Sequence, residues 1–98
     1  MISRTTIVAA LVIAGAATAN AQQRVTVTGC PINGIAPKCI IIRGADNTTY
    51  NITDARQRPE IGTRAITVTG IRVNRNHYCK QGVVLANVTW TYTNQNCR

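Results

Sequence analysis

Phenylalanine is absent from this chain of 98 residues, and histidine, tryptophan and methionine each occur once. No serine follows Ser3. Acidic residues number three, namely Asp46, Asp54 and Glu60. With no serine nucleophile and one imidazole, His77, a serine–histidine–acid triad cannot be assembled. The carboxylates stand in a turn and in one connection between strands, so no sequence signal gives His77 a partner to orient it as a general base. His77 is read as a solvated loop residue, and the chain as non-catalytic. The shortage of aromatics also argues against nucleic acid, because single-strand binders stack bases on exposed rings. No amphipathic helix with a cationic face is present, which removes the usual shape of a membrane-surface protein.

What is there begins with compartment. Residues 1–21 hold an early cation (Arg4), an apolar stretch over residues 7–17, and the small-residue tripeptide Ala19-Asn20-Ala21. This order is that of a secretory signal peptide of bacterial type, and the apolar stretch is too short to span a bilayer. Cleavage is expected after Ala21, leaving residues 22–98 as one small domain in the periplasm or outside the cell. The formal net charge of +8 falls to +7 when Arg4 is lost. A small domain buries too little surface for comfortable stability, and its four cysteines, Cys30, Cys39, Cys79 and Cys97, answer that need. Their spacing lacks the close C-x2-C pairs of a zinc knuckle, so two disulfides are expected, with no metal and no cofactor.

Helical periodicity is missing from the remainder, and short β-branched runs punctuated by turn residues replace it. Five strands are predicted: residues 24–28, 39–43, 48–52, 64–73 and 83–93. Between the third and fourth, residues 53–62 offer Thr53 or Asp54 as a helix cap and Pro59 as a stop, enough for a turn or two. Ile66 and Val68 have opposite parity to Ile71 and Val73, so a bulge or bend at Gly70 is expected to turn both pairs inward, and Gly29 can act likewise. Trp90 and Tyr92 share parity with Val84, Ala86 and Val88, and Tyr50 with Ile52; these are expected to face the core. The order of strands and cap predicts an all-β, five-stranded OB-like barrel. Threonines 26, 28, 67, 69, 89, 91 and 93 are expected on the outer faces. Such rows can bind ordered surfaces, ice included, but β-propensity and solubility account for them. The sequons beginning at Asn47, Asn51 and Asn87 are read as coincidental behind a bacterial leader.

The elements V-T-G-C (27–30), C-I-I-I (39–42), T-Y-N-I (49–52), P-E-I-G-T-R-A-I-T-V-T-G (59–70) and C-K-Q-G (79–82) carry a resemblance. The chain resembles uncharacterised small exported bacterial proteins with an OB-like β-barrel domain, over nearly all of residues 22–98. The resemblance implies the barrel and supplies no activity.

Cysteine pairing stays open at this level. Cys30 with Cys39, across one loop, together with Cys79–Cys97 is favoured, although the long fifth strand would have to double back. The alternative weighed is Cys30–Cys79 with Cys39–Cys97. For function, the cations are scattered singly, but Arg72, Arg75, His77, Tyr78 and Lys80 gather in and before the loop of residues 74–82. With the loop of residues 31–38, this segment frames the ligand face of an OB-like fold. The expectation is a binding module for an anionic protein or glycan, with a cationic antagonist or a structural envelope protein as alternatives and nucleic acid disfavoured.

Overall fold

The computed structural model describes residues 23–97. The signal-peptide expectation, on residues 1–21, lies outside the described residues. The described chain is all-β: β1 (Arg24–Gly29), β2 (Pro31–Asn33), β3 (Ile40–Arg43), β4 (Thr49–Asn51), β5 (Arg64–Val73) and β6 (Val83–Asn96). They form one six-stranded sheet in the order β1-β5-β6-β4-β3-β2, antiparallel throughout except for the parallel pair β4–β6. The five predicted strands are all present. The count is nevertheless six, and the sheet is not closed. The extra strand arises because the chain interrupts its first strand at Cys30 and continues as β2 on the far edge. Two close approaches require glycine there and in the turn that follows β3: a side chain at Gly29 would meet the Arg43 carbonyl at 2.6 Å, and one at Gly44 would meet Val27 at 2.7 Å.

The inward residues come from all the longer strands. Val27, Ile40, Ile42, Tyr50, Ile52, Ile66, Val68, Leu85 and Val88 pack into one core, with Ala55 closing it from the β4–β5 connection. Alternation places Thr67 and Thr69 opposite Ile66 and Val68 on β5, on the face where Thr28 meets Thr67 at 2.9 Å and Thr26 meets Thr69 at 3.4 Å. The β3–β4 turn closes as its sequence indicates: Asn47 takes a positive φ of 67°, and the Thr48 N–H donates to Asp46 Oδ1 at 3.0 Å.

Three local expectations are corrected. Residues 53–62 form turns and no helix. The two candidate caps are engaged elsewhere: Thr53 Oγ1 accepts the Ile40 N–H at 3.1 Å, and Asp54 is bonded to Arg75 and His77. The irregularity expected on β5 at Gly70 lies opposite it on β6. Gly70 keeps β5 in register with β1, while Thr69 and Ile71 pair with Thr89 and Ala86, so one extra residue enters β6. Asn87 absorbs it with a positive φ of 52°, and Ile71 and Val73 stay half-buried. The bulge also shifts the parity of β6. Val84 and Leu85 are both buried, Ala86 is half-buried, Trp90 only flanks the core, and Tyr92 is 37 % exposed. Tyr92 instead lies edge-on to Trp90 at 4.9 Å with Arg64 over its ring at 4.5 Å.

Neither weighed cysteine pairing occurs. The disulfides are Cys30–Cys97 and Cys39–Cys79, with Cα separations of 5.7 and 5.9 Å. β2 pairs with β3 so that Gly34, and not Cys30, faces Cys39; the Gly34 N–H donates to the Cys39 carbonyl at 2.7 Å. Cys30 follows Gly29, which pairs with Ile66 near the start of β5, and Cys97 follows Asn96, which pairs with Arg64. One bond therefore lies beside the start of β5, and the other joins the loops at the end of the sheet where β5 stops.

Candidate functional site

At the end of the sheet where β5 stops and β6 begins, two loops are fastened together. The β2–β3 loop contributes Cys39, and the β5–β6 loop contributes Cys79; both are buried, at 1 % and 2 % exposure. Around this bond lies a polar brace. The buried Asn51 donates from Nδ2 to the Cys79 carbonyl at 3.0 Å and accepts the Thr53 N–H on Oδ1 at 3.0 Å. The Ile35 N–H donates to Gln81 Oε1 at 3.0 Å, which ties the loops a second time. Among the described residues no buried side-chain nitrogen or oxygen lacks a partner, so the brace has no uncompensated desolvation cost.

His77 belongs to this brace, which corrects its reading as a solvated residue. Its side chain is 8 % exposed. Nδ1 accepts the Cys79 N–H at 3.0 Å, so the ring proton is assigned to Nε2, which donates to Asp54 Oδ1 at 3.0 Å. Both ring nitrogens are occupied, and neither is free in this arrangement to take a proton from a substrate. Asp54 also receives Arg75 Nη2 on Oδ2 at 2.9 Å. The His77 hydrogen bond chiefly holds the Asp54 carboxyl below its ordinary value near 3.8; burial, next in size, opposes it, and Arg75 adds a lesser lowering. The sign follows: a depressed folded-state value stabilises above the unfolded value and is lost as the pH falls through the folded one. Asp54→Asn is therefore expected to be less stable than wild type at neutral pH, with the difference closing below about pH 4. Urea denaturation of both proteins from pH 7 to pH 2.5 checks this; a gap that persists in acid would contradict it.

With His77 and Asp54 committed to the brace, the cations around it define the surface. Arg72, Val73, Asn74 and Arg75 from the end of β5, Gly82–Val84 from the start of β6, and Gln23 line an open cleft of about 520 Å³. A second of about 270 Å³ adjoins it and shares Arg75, Gly82 and Val84, with His77 and Lys80 on its wall. Of the five residues expected to form the site, the structure places Arg72 and Arg75 on the first cleft and Arg75, His77 and Lys80 on the second. Tyr78 lines neither; it is 62 % exposed and stacks on His77 at 4.9 Å between ring centroids. Among the described residues no carboxylate lies within ion-pairing distance of Arg72 or Lys80, whereas Arg75 shares its charge with Asp54. Two planar guanidiniums over a floor of Val73, Val83 and Val84 suit a carboxylate, sulfate or phosphate carried on a partly apolar body. Gln23 and Gln81 were not legible as contributors, since each reaches the site through pairing across the sheet or between loops. Among the described residues no three His, Cys, Asp or Glu side chains gather closely enough to hold a metal ion.

No protein family, curated protein or solved structure matches the chain in comparison.

Proposed function

We propose that the chain is a non-catalytic, exported binding module that holds an anionic partner, an acidic protein face or a glycan, in the bacterial envelope. The observation that carries this reading is the pair of adjoining clefts whose walls bear Arg72 at the end of β5 and Arg75 and Lys80 on the β5–β6 loop, which Cys39–Cys79 ties to the β2–β3 loop. Cross-linking holds the cations in place before binding, so less ordering entropy opposes association. Two disulfides are consistent with an oxidising, non-cytoplasmic environment. The OB-like reading, and with it the resemblance to small exported bacterial proteins, draws support from connectivity. β1 and β2 occupy opposite edges of the sheet yet are joined by Cys30 alone, so counting them as one bent strand gives five strands.

Affinity capture from an envelope extract tests the proposal. The wild-type protein should retain a specific acidic partner at low salt, lose it progressively at high salt, and lose it in the Arg72→Ala/Arg75→Ala/Lys80→Ala variant. Capture unchanged by salt and by the triple substitution would sink the electrostatic site. Growth inhibition of other bacteria with no partner retained would favour a cationic antagonist instead.

A further inference from the structure

The same two loops carry a feature that the clefts do not use. Ile35, at the tip of the β2–β3 loop, is 90 % exposed, Ile32 in β2 is 46 % exposed, and Tyr78 in the β5–β6 loop is 62 % exposed. Single exposed apolar residues need no explanation, but Ile35 and Tyr78 lie on loops fastened to each other, and Ile32 is in the strand that leads into one of them. The tip itself is closed by backbone bonds: Gly34 N–H to the Cys39 carbonyl at 2.7 Å, and Cys39 N–H to the Ala36 carbonyl at 3.3 Å. Ile35 is thus held outward on a fixed tip. Lys38 and Lys80 are exposed on the same loops, and neither loop contains an acidic residue.

We propose that this loop end docks on an anionic lipid bilayer, with Ile35 and Tyr78 entering the headgroup region while Lys38 and Lys80 meet the lipid phosphates. Charge complementarity selects the occupant. A protruding aliphatic tip and an amphipathic ring, each on a loop that carries a lysine and no acidic residue of its own, match the layering of an interface that is apolar below and negative above. Loops take the part that an amphipathic helix plays elsewhere. The apolar anchors stand apart from the cleft walls: Ile32, Ile35, Lys38 and Tyr78 line neither cleft, and of the docking residues only Lys80 is shared, with the second.

Flotation with phosphatidylglycerol vesicles, and in parallel with phosphatidylcholine vesicles, tests the proposal on the disulfide-bonded protein. Binding to the anionic vesicles alone is expected. Ile35→Ser/Tyr78→Ser should weaken it about tenfold, since the apolar anchors are lost. Lys38→Gln/Lys80→Gln should weaken it similarly, and these exposed positions leave the melting temperature close to wild type. In an Ile35→Trp variant, tryptophan emission should shift to the blue on anionic vesicles. Equal binding to both vesicle types, binding unchanged in Ile35→Ser/Tyr78→Ser, or a lipid-free dimer that this variant dissociates would each overturn the proposal.

Discussion

Removing the Cys39–Cys79 disulfide, in a Cys39→Ala/Cys79→Ala variant, is expected to lower stability by about 4 kcal/mol. The bond joins positions 40 residues apart, and in the chain-entropy model a loop of that length constrains the unfolded state by this amount. Small domains hold only about 5–15 kcal/mol in total, so the variant should unfold at far lower urea concentration. The Cys30–Cys97 bond, spanning 67 residues, should contribute a similar amount. The two losses differ in consequence. Without Cys39–Cys79 the cationic loops lose their anchor, and anion binding should fall even where the protein remains folded. Without Cys30–Cys97, which lies at the opposite end of β5, binding at low temperature should be retained. Burial adds an order of events. Cys39 and Cys79 are buried whereas Cys30 and Cys97 are half-buried, so graded thiol reductant should open Cys30–Cys97 first. Peptide mapping without reduction should recover Cys30 linked to Cys97 and Cys39 linked to Cys79; any other linkage would contradict the fold.

Gly82→Ala is the second change with a large expected effect, a loss of about 3 kcal/mol. Gly82 has a φ of +73°, a conformation that penalises an L-residue by about 1–2 kcal/mol. A side chain there would also strike the backbone carbonyl of Thr49, where overpacking costs about 1–3 kcal/mol more. Thr49 opens β4, and the residue after it, Tyr50, pairs with Val83 in the parallel contact of β4 with β6. Gly82 therefore permits the two strands to meet, and it also lines both clefts. The melting temperature should drop by about 10–20 °C for a domain of this size. Gly62 provides the control. It also has positive φ, +81°, but nothing lies within 4 Å of a side chain built there, so Gly62→Ala should cost only the conformational part. Equal melting temperatures for the two variants would show that the Thr49 contact is not what makes Gly82 necessary.

The sequence made the strands legible wherever one face was buried and the other wet. The run 24–28 and the run 64–69 alternate β-branched and threonine residues, and their register, Val27 opposite Val68 and Thr28 opposite Thr67, is the one that alternation demands. Legibility stopped where a single residue broke the period. The interruption at Cys30 gives no signal in a window of five or six residues, yet it sends β2 to the other edge of the sheet and with it moves Cys30 away from Cys39. Asn87 is a similar case: its left-handed conformation shifts the inward set of β6, so parity counted back from Trp90 does not reach Leu85, which is fully buried. The site was legible as a cluster of cations near residue 75, because those residues are neighbours in the chain. The role of His77 was not, because its orienting carboxylate, Asp54, lies 23 residues away in a connection read as a helical turn. What distinguishes a histidine that binds a ligand from one that braces a loop is the partner on each ring nitrogen, and that is decided by the tertiary structure.

Whether the cations at this end of the sheet form one anion-binding surface is decided by titrating the isotopically labelled protein with a short acidic oligosaccharide and a glutamate-rich peptide while recording amide chemical shifts. At least one of them should move the amides of Gln23, Arg72–Arg75 and Lys80–Val84 in a saturable manner, with affinity falling as salt is added, while the amides around Arg43 and Arg64 stay still. Shifts spread evenly over all exposed cations, or saturable shifts centred away from these clefts, would contradict it.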